Sequence, residues 1–287
     1  MANDVGQAVQ ARHLVDVDWV RQHLAHPDVR FVEAGADAGS YYEGHVPGAV
    51  VLSWLDDLHD PDRRGVLSQD RLERLLGSLG INETNHVVLY GDDDNTFAAY
   101  AYWVLRYYGH RRLSLLDGGR RAWLAAAAPV TTDLPSVTPG KYVSTGPDET
   151  VRATRDLVLD RFVGAPAGTA LLDCRTDAEY HGRGGMVVDL PILLHRLGGH
   201  IPGARNLSSA ELLDPDSSRF LTVTELRRVV TAQGVQPQDD VVLYCEVGQR
   251  SALGWFVVHE VLHQARARNY DGGWAEYGSL VGAPVSR

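Results

Sequence analysis

An internal duplication constrains this chain more than any other feature. Residues 44–49 (GHVPGA) recur as 199–204 (GHIPGA), 155 positions later, and 87–91 (VVLYG) recur as 241–245 (VVLYC), 154 positions later. The stretch 98–108 (AAYAYWVLRYY) matches 252–262 (ALGWFVVHEVL), and Asp117-Gly118-Gly119 matches Asp271-Gly272-Gly273, both again at 154. Order and spacing are kept, so the chain must build one structural plan twice. Its 287 residues suit two domains of about 130 to 150 residues each. The expected division is 10–136, a linker at 137–150, and 151–287; the linker lies in a stretch dense in Pro, Gly, Ser and Thr.

The copies differ in one place. FVEAG around Glu33 corresponds to LLDCR around Asp173 at an offset of only 140, so the second copy carries about fifteen extra residues within 182–197. A surface loop absorbs such an insertion cheaply. A passive decoration and a substrate lid are both open readings of it.

The runs 87–90 and 241–244 are too short for helices and too unbroken for half-exposed strands, and read as buried parallel strands. Helical patterns lie between the strands; VTELRRVVTAQ at 223–233 is one, with Thr224 as its expected cap and Gly234 as its stop. Strands alternating with helices predict α/β domains, in which ligands gather at the carboxyl ends of the strands.

Composition removes several functions. The net charge is −10, from 27 Lys plus Arg against 37 Asp plus Glu, and no basic run stands out, so nucleic acid is not an expected partner. No apolar run reaches the roughly 18 residues that a bilayer span needs, and no membrane role is expected. The first residues, MANDVGQAVQARHLV, have neither a basic start nor an apolar export core; the expected location is cytoplasmic. Two cysteines, Cys174 and Cys245, are too few for a disulfide framework or a cysteine-based zinc site, and the 12 His form no HExxH pair. Neither a metal nor another cofactor is expected.

Cys245 stands where a strand ends and a helix should begin, near Ser251 or Ala252. Such a turn gathers backbone N–H groups, and a helix N-terminus adds roughly half a positive charge, so an anion is favoured there and the thiolate with it. Gly248 lets the loop curl around the sulfur. A buried strand-end cysteine with no reactivity is the alternative, but a loop containing Gly, Gln and Arg is poor core material. The first copy has Gly91 at this position, followed by Asp92, Asp93 and Asp94, so it lacks a nucleophile and would repel an anionic donor.

The two-copy plan, GHVPGA and GHIPGA, the Cys245 loop and NYDGGWAEYGSLVGAPV at 269–285 together resemble the tandem-domain rhodaneses, especially bacterial thiosulfate sulfurtransferases, from about Leu14 to Val285. The resemblance implies two repeated rhodanese-like α/β domains, each an open parallel sheet flanked by helices, with catalysis in the second. It implies that Cys245 takes sulfane sulfur from a small anionic donor such as thiosulfate, becomes a persulfide, and passes the sulfur to cyanide or a thiol, including a thiol protein. Cys245 is then catalytic, with Glu246, Val247, Gly248, Gln249, Arg250, Ser251 and Arg183 binding substrate. Arg175 is expected to hold the loop through carboxylates, and Cys174 to be core. Trp54 is expected to pack in the core, with lining of a cleft as the other option, and His45 and His200, present in both copies, to be structural.

This loop departs from the family pattern. Glu246 follows the cysteine where thiosulfate-type loops carry basic residues, and is expected to be a solvated rim residue. Glu179 stands where several family members place a substrate-binding arginine. Three other functions remain: 3-mercaptopyruvate as donor, a non-enzymatic sulfur carrier, and a cysteine-dependent phosphatase. The last would need five residues between cysteine and arginine, and this loop has four.

Overall fold

The structure, a computed structural model, describes residues 13–60, 65–183 and 197–287. Its contacts define two compact units: one runs to Asp148 and includes Asp214–Phe220, and the other comprises Glu149–Leu213 and Leu221–Arg287. Of the stretch read as a linker at 137–150, residues 137–148 thus group with the first unit and 149–150 with the second. Most of the insertion at 182–197 lies outside the described residues.

The first unit holds a five-stranded parallel sheet in the order β1-β5-β4-β2-β3, formed by β1 (Leu14–Val15), β2 (Val29–Gly35), β3 (Val50–Ser53), β4 (His86–Tyr90) and β5 (Leu113–Leu116). The second holds β7-β6-β8-β9, with β6 (Thr169–Asp173), β7 (Arg205–Asn206), β8 (Asp240–Tyr244) and β9 (Ala267–Tyr270), again all parallel. β7-β6-β8-β9 repeats β3-β2-β4-β5. Even β1 has a trace in the second unit: Leu14 pairs with Leu115, and an isolated parallel bridge joins Arg152 to Asn269, the residue 154 positions after Leu115. Helices between the strands cover the sheets, as parallel pairing requires.

Each apolar strand is buried because helices pack on the sheet. Leu171, Val242, Tyr244, Phe162, Trp274 and Tyr277 form the core on one side of the second sheet, and each such side chain stabilises the fold by about 1.5–3 kcal/mol. The cap of the helix Val223–Ala232 lies two residues earlier than its sequence suggests. Thr222, not Thr224, is its N-cap, because Glu225 can close a capping box on Thr222.

The paired GHVPGA and GHIPGA segments have the same structural task in both units. His45 stacks on Tyr41 at 3.8 Å and His200 on Tyr180 at 3.7 Å, each with Nδ1 on that tyrosine's carbonyl. The Tyr41 and Tyr180 hydroxyls donate to the carbonyls of Ala49 and Ala204. The strand-end tyrosines Tyr90 and Tyr244 accept the N–H of Val46 and Ile201. These histidines tie the turn to the sheet. Trp54 is buried and packs against His59 and Phe97.

Candidate active site

In the second unit β6 runs on to β7 at one side and β8 to β9 at the other, so the segments after β6 and β8 emerge together at the point where strand order reverses. That crevice is where open α/β sheets hold ligands. Cys245 follows β8 directly. Its thiol is fully buried, and Sγ donates to Oε1 of Gln249 at 3.4 Å.

The turn around the sulfur is closely fitted. Gly248 has φ +92°, and a Cβ there would lie 2.8 Å from Cα of Asp271. Its carbonyl accepts from Ser251 Oγ and Asn269 Nδ2, both at 3.1 Å, and Ser251 Oγ also donates to Asn269 Oδ1 at 2.7 Å. The carbonyls of Cys245 and Glu246 accept the N–H groups of Trp274 and Ala275. Gly273, in the DGG turn, must be glycine for this contact: φ is +54°, and a Cβ would meet both carbonyls within 2.7 Å. The helix begins at Gln249, nearer the sulfur than Ser251 or Ala252 would place it. Its first ladder bond is Ala252 N–H to the Gly248 carbonyl. The N–H groups ahead of that bond have no preceding turn to donate to.

Charged side chains surround the turn in pairs. Arg175 is 2% exposed; it grips Asp173 through Nε and Nη2 (2.6 Å to Oδ2) and donates from Nη2 to the Gly199 carbonyl at 2.8 Å. Its guanidinium lies over the Trp274 ring, 4.7 Å from the centroid. Glu246 is 3% exposed, which corrects its reading as a solvated rim residue; Arg175 Nη1 lies 4.0 Å from its carboxylate. The tight DGG packing draws this loop inward, and Glu246 goes with it. Arg250 is held at both nitrogens by Glu179, at 2.7 and 2.9 Å. Arg183 is exposed and bound to Asp177.

The structure therefore brings Cys245, Glu246, Val247, Gly248, Gln249, Arg250 and Ser251 onto one turn and leaves Arg183 on the surface with an acidic partner. Glu179 as the holder of Arg250 did not emerge from the sequence. A signal was present: Thr176-x-x-Glu179 is a capping box, and its Glu179 carboxylate accepts from the Thr176 N–H and hydroxyl. Burial pushes the Glu179 carboxyl up, but the hydrogen bonds and charge of Arg250, with Thr176, outweigh it and bring the group down to about 2. A depressed carboxyl stabilises the fold above its unfolded value, and that contribution is lost as pH falls through the folded one. The stability gap between wild type and Glu179→Gln is expected to be constant above pH 5. It should shrink by on the order of 3 kcal/mol as pH falls from about 4.5 toward 2. Urea melts at stepped pH check this; parallel curves would contradict it.

Cys174 directly follows β6, as Cys245 follows β8: Asp173 pairs with Tyr244, and the Cys174 N–H donates to the Tyr244 carbonyl at 2.7 Å. It is a fully buried free thiol, pushed well above its ordinary range by that burial. It is core packing in the protonated form.

The first unit's equivalent turn differs in more than its missing thiol. A Cβ on Gly91 would lie 2.1 Å from the Ala34 carbonyl oxygen. Asn95, aligned with Gln249, accepts the Gly91 N–H at 2.9 Å. A cavity of about 650 Å³ opens over this turn, lined in part by Asp37, Asp92, Asp93 and Asp94. Burial, then repulsion from the other three, raises the Asp93 carboxyl. This cavity is thus lined by four aspartates, with Arg121 also at its wall, and lies at the turn without a nucleophile. Gly91→Ala is expected to destabilise the protein by about 2 kcal/mol through forced backbone movement. A thermal melt checks this, and an unchanged midpoint would contradict the close contact.

A rhodanese-like domain model matches residues 16–126 and again 158–280. Over 275 residues the chain is 40% identical to the sulfur carrier protein TtuD of Thermus thermophilus, covering 96% of each chain. It is 41% identical over 281 residues to a Haloferax volcanii protein named "Putative thiosulfate sulfurtransferase", again covering 96% of each. Among solved structures it is similar to YnjE, with TM-score 0.82 and 24% identity over 96% of this chain and 68% of that one. It is also similar to an anaerobic ergothioneine biosynthesis enzyme from Chlorobium limicola in complex with trimethyl histidine, with TM-score 0.81 and 21% identity over 96% and 70%. At such identities the structural likeness bears on the fold alone. No described helix is long and apolar enough to cross a membrane, and no described cluster of His, Cys, Asp and Glu could hold a metal ion.

Proposed function

The chain belongs to the rhodanese family, and from that premise we propose that it is a sulfurtransferase moving sulfane sulfur from thiosulfate to a thiophilic acceptor through a Cys245 persulfide. The observation that carries this reading is the placement of Cys245 on the β8 turn at the crevice of the second sheet, while Gly91 leaves the first without a nucleophile. In the first step the Cys245 thiolate attacks the outer sulfur of thiosulfate. A new S–S bond forms, the donor's S–S bond breaks, and sulfite leaves with the electron pair. In the second, cyanide or a thiolate attacks the outer sulfur of the persulfide, and the Cys245 thiolate leaves. Gln249 Oε1 accepts from the resting thiol and positions it before it ionises, and the first-turn N–H groups favour negative charge on the sulfur. The first unit serves as an inert partner, and the chain acts in the cytoplasm, where both free thiols stay reduced.

Incubation with thiosulfate is expected to add one sulfur atom to the intact protein, on the peptide containing Cys245, and cyanide should remove it as thiocyanate. Label on Cys174 would overturn the assignment.

A second reading is a sulfur carrier that loads once and hands its sulfur to a protein thiol. The Thermus relative's name and the engagement of Arg250 by Glu179 both favour it. Loading without multiple turnover on cyanide, but with rapid discharge to a protein thiol, separates this from the enzyme.

A further inference from the structure

Gln249 opens the helix Gln249–Trp255, and helical side chains lean back toward the N-terminus, which aims its amide at Cys245 four residues earlier. Its Oε1 accepts from Sγ at 3.4 Å. Cys245 is 0% exposed, so a negative charge on its sulfur must be met by protein donors rather than by bulk water. The first unit shows an amide at the aligned position with no sulfur to serve. There Asn95 spends both ends on backbone: Oδ1 accepts the Gly91 N–H at 2.9 Å, and Nδ2 donates to the Leu116 carbonyl at 2.6 Å. In the second unit the amide is one methylene longer and turns to the thiol, and among the described residues none holds its Nε2.

A thiol and a thiolate need opposite things of a neighbour. The thiol donates and needs an acceptor; the thiolate accepts and needs a donor. A carboxamide carries both, and its terminal torsion is soft and roughly two-fold, so a half-turn exchanges them at one place. Resting on the persulfide chemistry above, we propose that Gln249 is a catalytic residue working from both ends of its amide: Oε1 holds the resting thiol, and Nε2 turns in to donate to Sγ when the sulfur carries charge. That charge arises in the second step. Cyanide attacks the outer sulfur, the S–S bond breaks with its electron pair on Sγ, and thiocyanate leaves. The hydrogen bond from Nε2 stabilises the departing Cys245 thiolate.

Gln249→Met and Gln249→Glu separate the two ends. Both keep the length of the side chain; the first offers no donor, and the second, ionised, only accepts. Each protein is loaded with thiosulfate, freed of donor and mixed with cyanide in a single turnover. Discharge should slow about tenfold in Gln249→Met and at least as much in Gln249→Glu. The ultraviolet thiolate band, taken as the difference from Cys245→Ala at the pH where wild type shows half its full band, should shrink in both. A role confined to holding the thiol has the opposite sign, since removing an acceptor of the neutral form enlarges the band in Gln249→Met. A band that holds or grows in either variant, or discharge at the wild-type rate in either, overturns the inference. The discharge constant is first-order and does not depend on how much protein is folded or loaded. A variant that takes up no sulfur is judged on the band alone. A wild type that takes up no sulfur overturns the persulfide reading instead, and the band still decides whether the amide donates to the thiolate.

Discussion

Cys245→Ala is expected to lose sulfur loading completely and to reduce donor turnover by at least about a thousandfold. No other group on the turn can replace the thiol: Gln249, the side chain bonded to Sγ, is an amide, and Ser251 Oγ is committed to Gly248 and Asn269. The fold should survive, because one sulfur atom is removed from a turn held by backbone bonds to Trp274 and Ala275. Cys174→Ala gives the complementary result. Removing a fully buried thiol should cost about 1 kcal/mol of stability, while loading of Cys245 stays intact. Intact-mass spectra after donor treatment, with thermal melts of both variants, distinguish the roles. Loading that persists in Cys245→Ala would move the nucleophile elsewhere.

The largest stability effect is expected at Arg175. Its replacement by Ala strands Asp173, which is wholly buried, leaves the Gly199 carbonyl without its donor, and removes the cation from the face of Trp274. Breaking a buried pair from one side costs about 3–5 kcal/mol. For a unit of this size that lowers the melting midpoint by on the order of 10 °C. Arg175→Lys should recover little, since a single ammonium cannot supply Nε and Nη2 to Asp173 while reaching Gly199. Calorimetry checks this; a midpoint within about 2 °C of wild type would show the pair to be dispensable.

How far these features could be read from the sequence follows from their range along the chain. Strands, their parallel order and the position of Cys245 follow from repeated motifs and local apolar runs, which sequence displays directly. The burial of Glu246 does not, because it depends on Trp274 and Ala275 closing on the turn from nearly thirty residues away. The Arg250–Glu179 pair spans 71 positions. The arginine that bridges strand end to GHxPGA turn is harder still to find. In the first unit Arg120 joins Glu33 to the Gly44 carbonyl, and in the second Arg175 joins Asp173 to the Gly199 carbonyl. Arg120 aligns with Trp274 and Arg175 with Gly35, so the same charge reaches the same place from different points on the chain. Aligning the two halves residue by residue hides the equivalence that their coordinates reveal.

The packing at Gly91 makes the asymmetry between the two units costly to undo. With the Ala34 carbonyl oxygen 2.1 Å from where a side chain would start, a cysteine at this turn needs the end of β2 to retreat at the same time. Grafting the second unit's nucleophile into the first therefore calls for a compensating change in the strand it would collide with, and the backbone contact acts as a steric lock on the vacant turn.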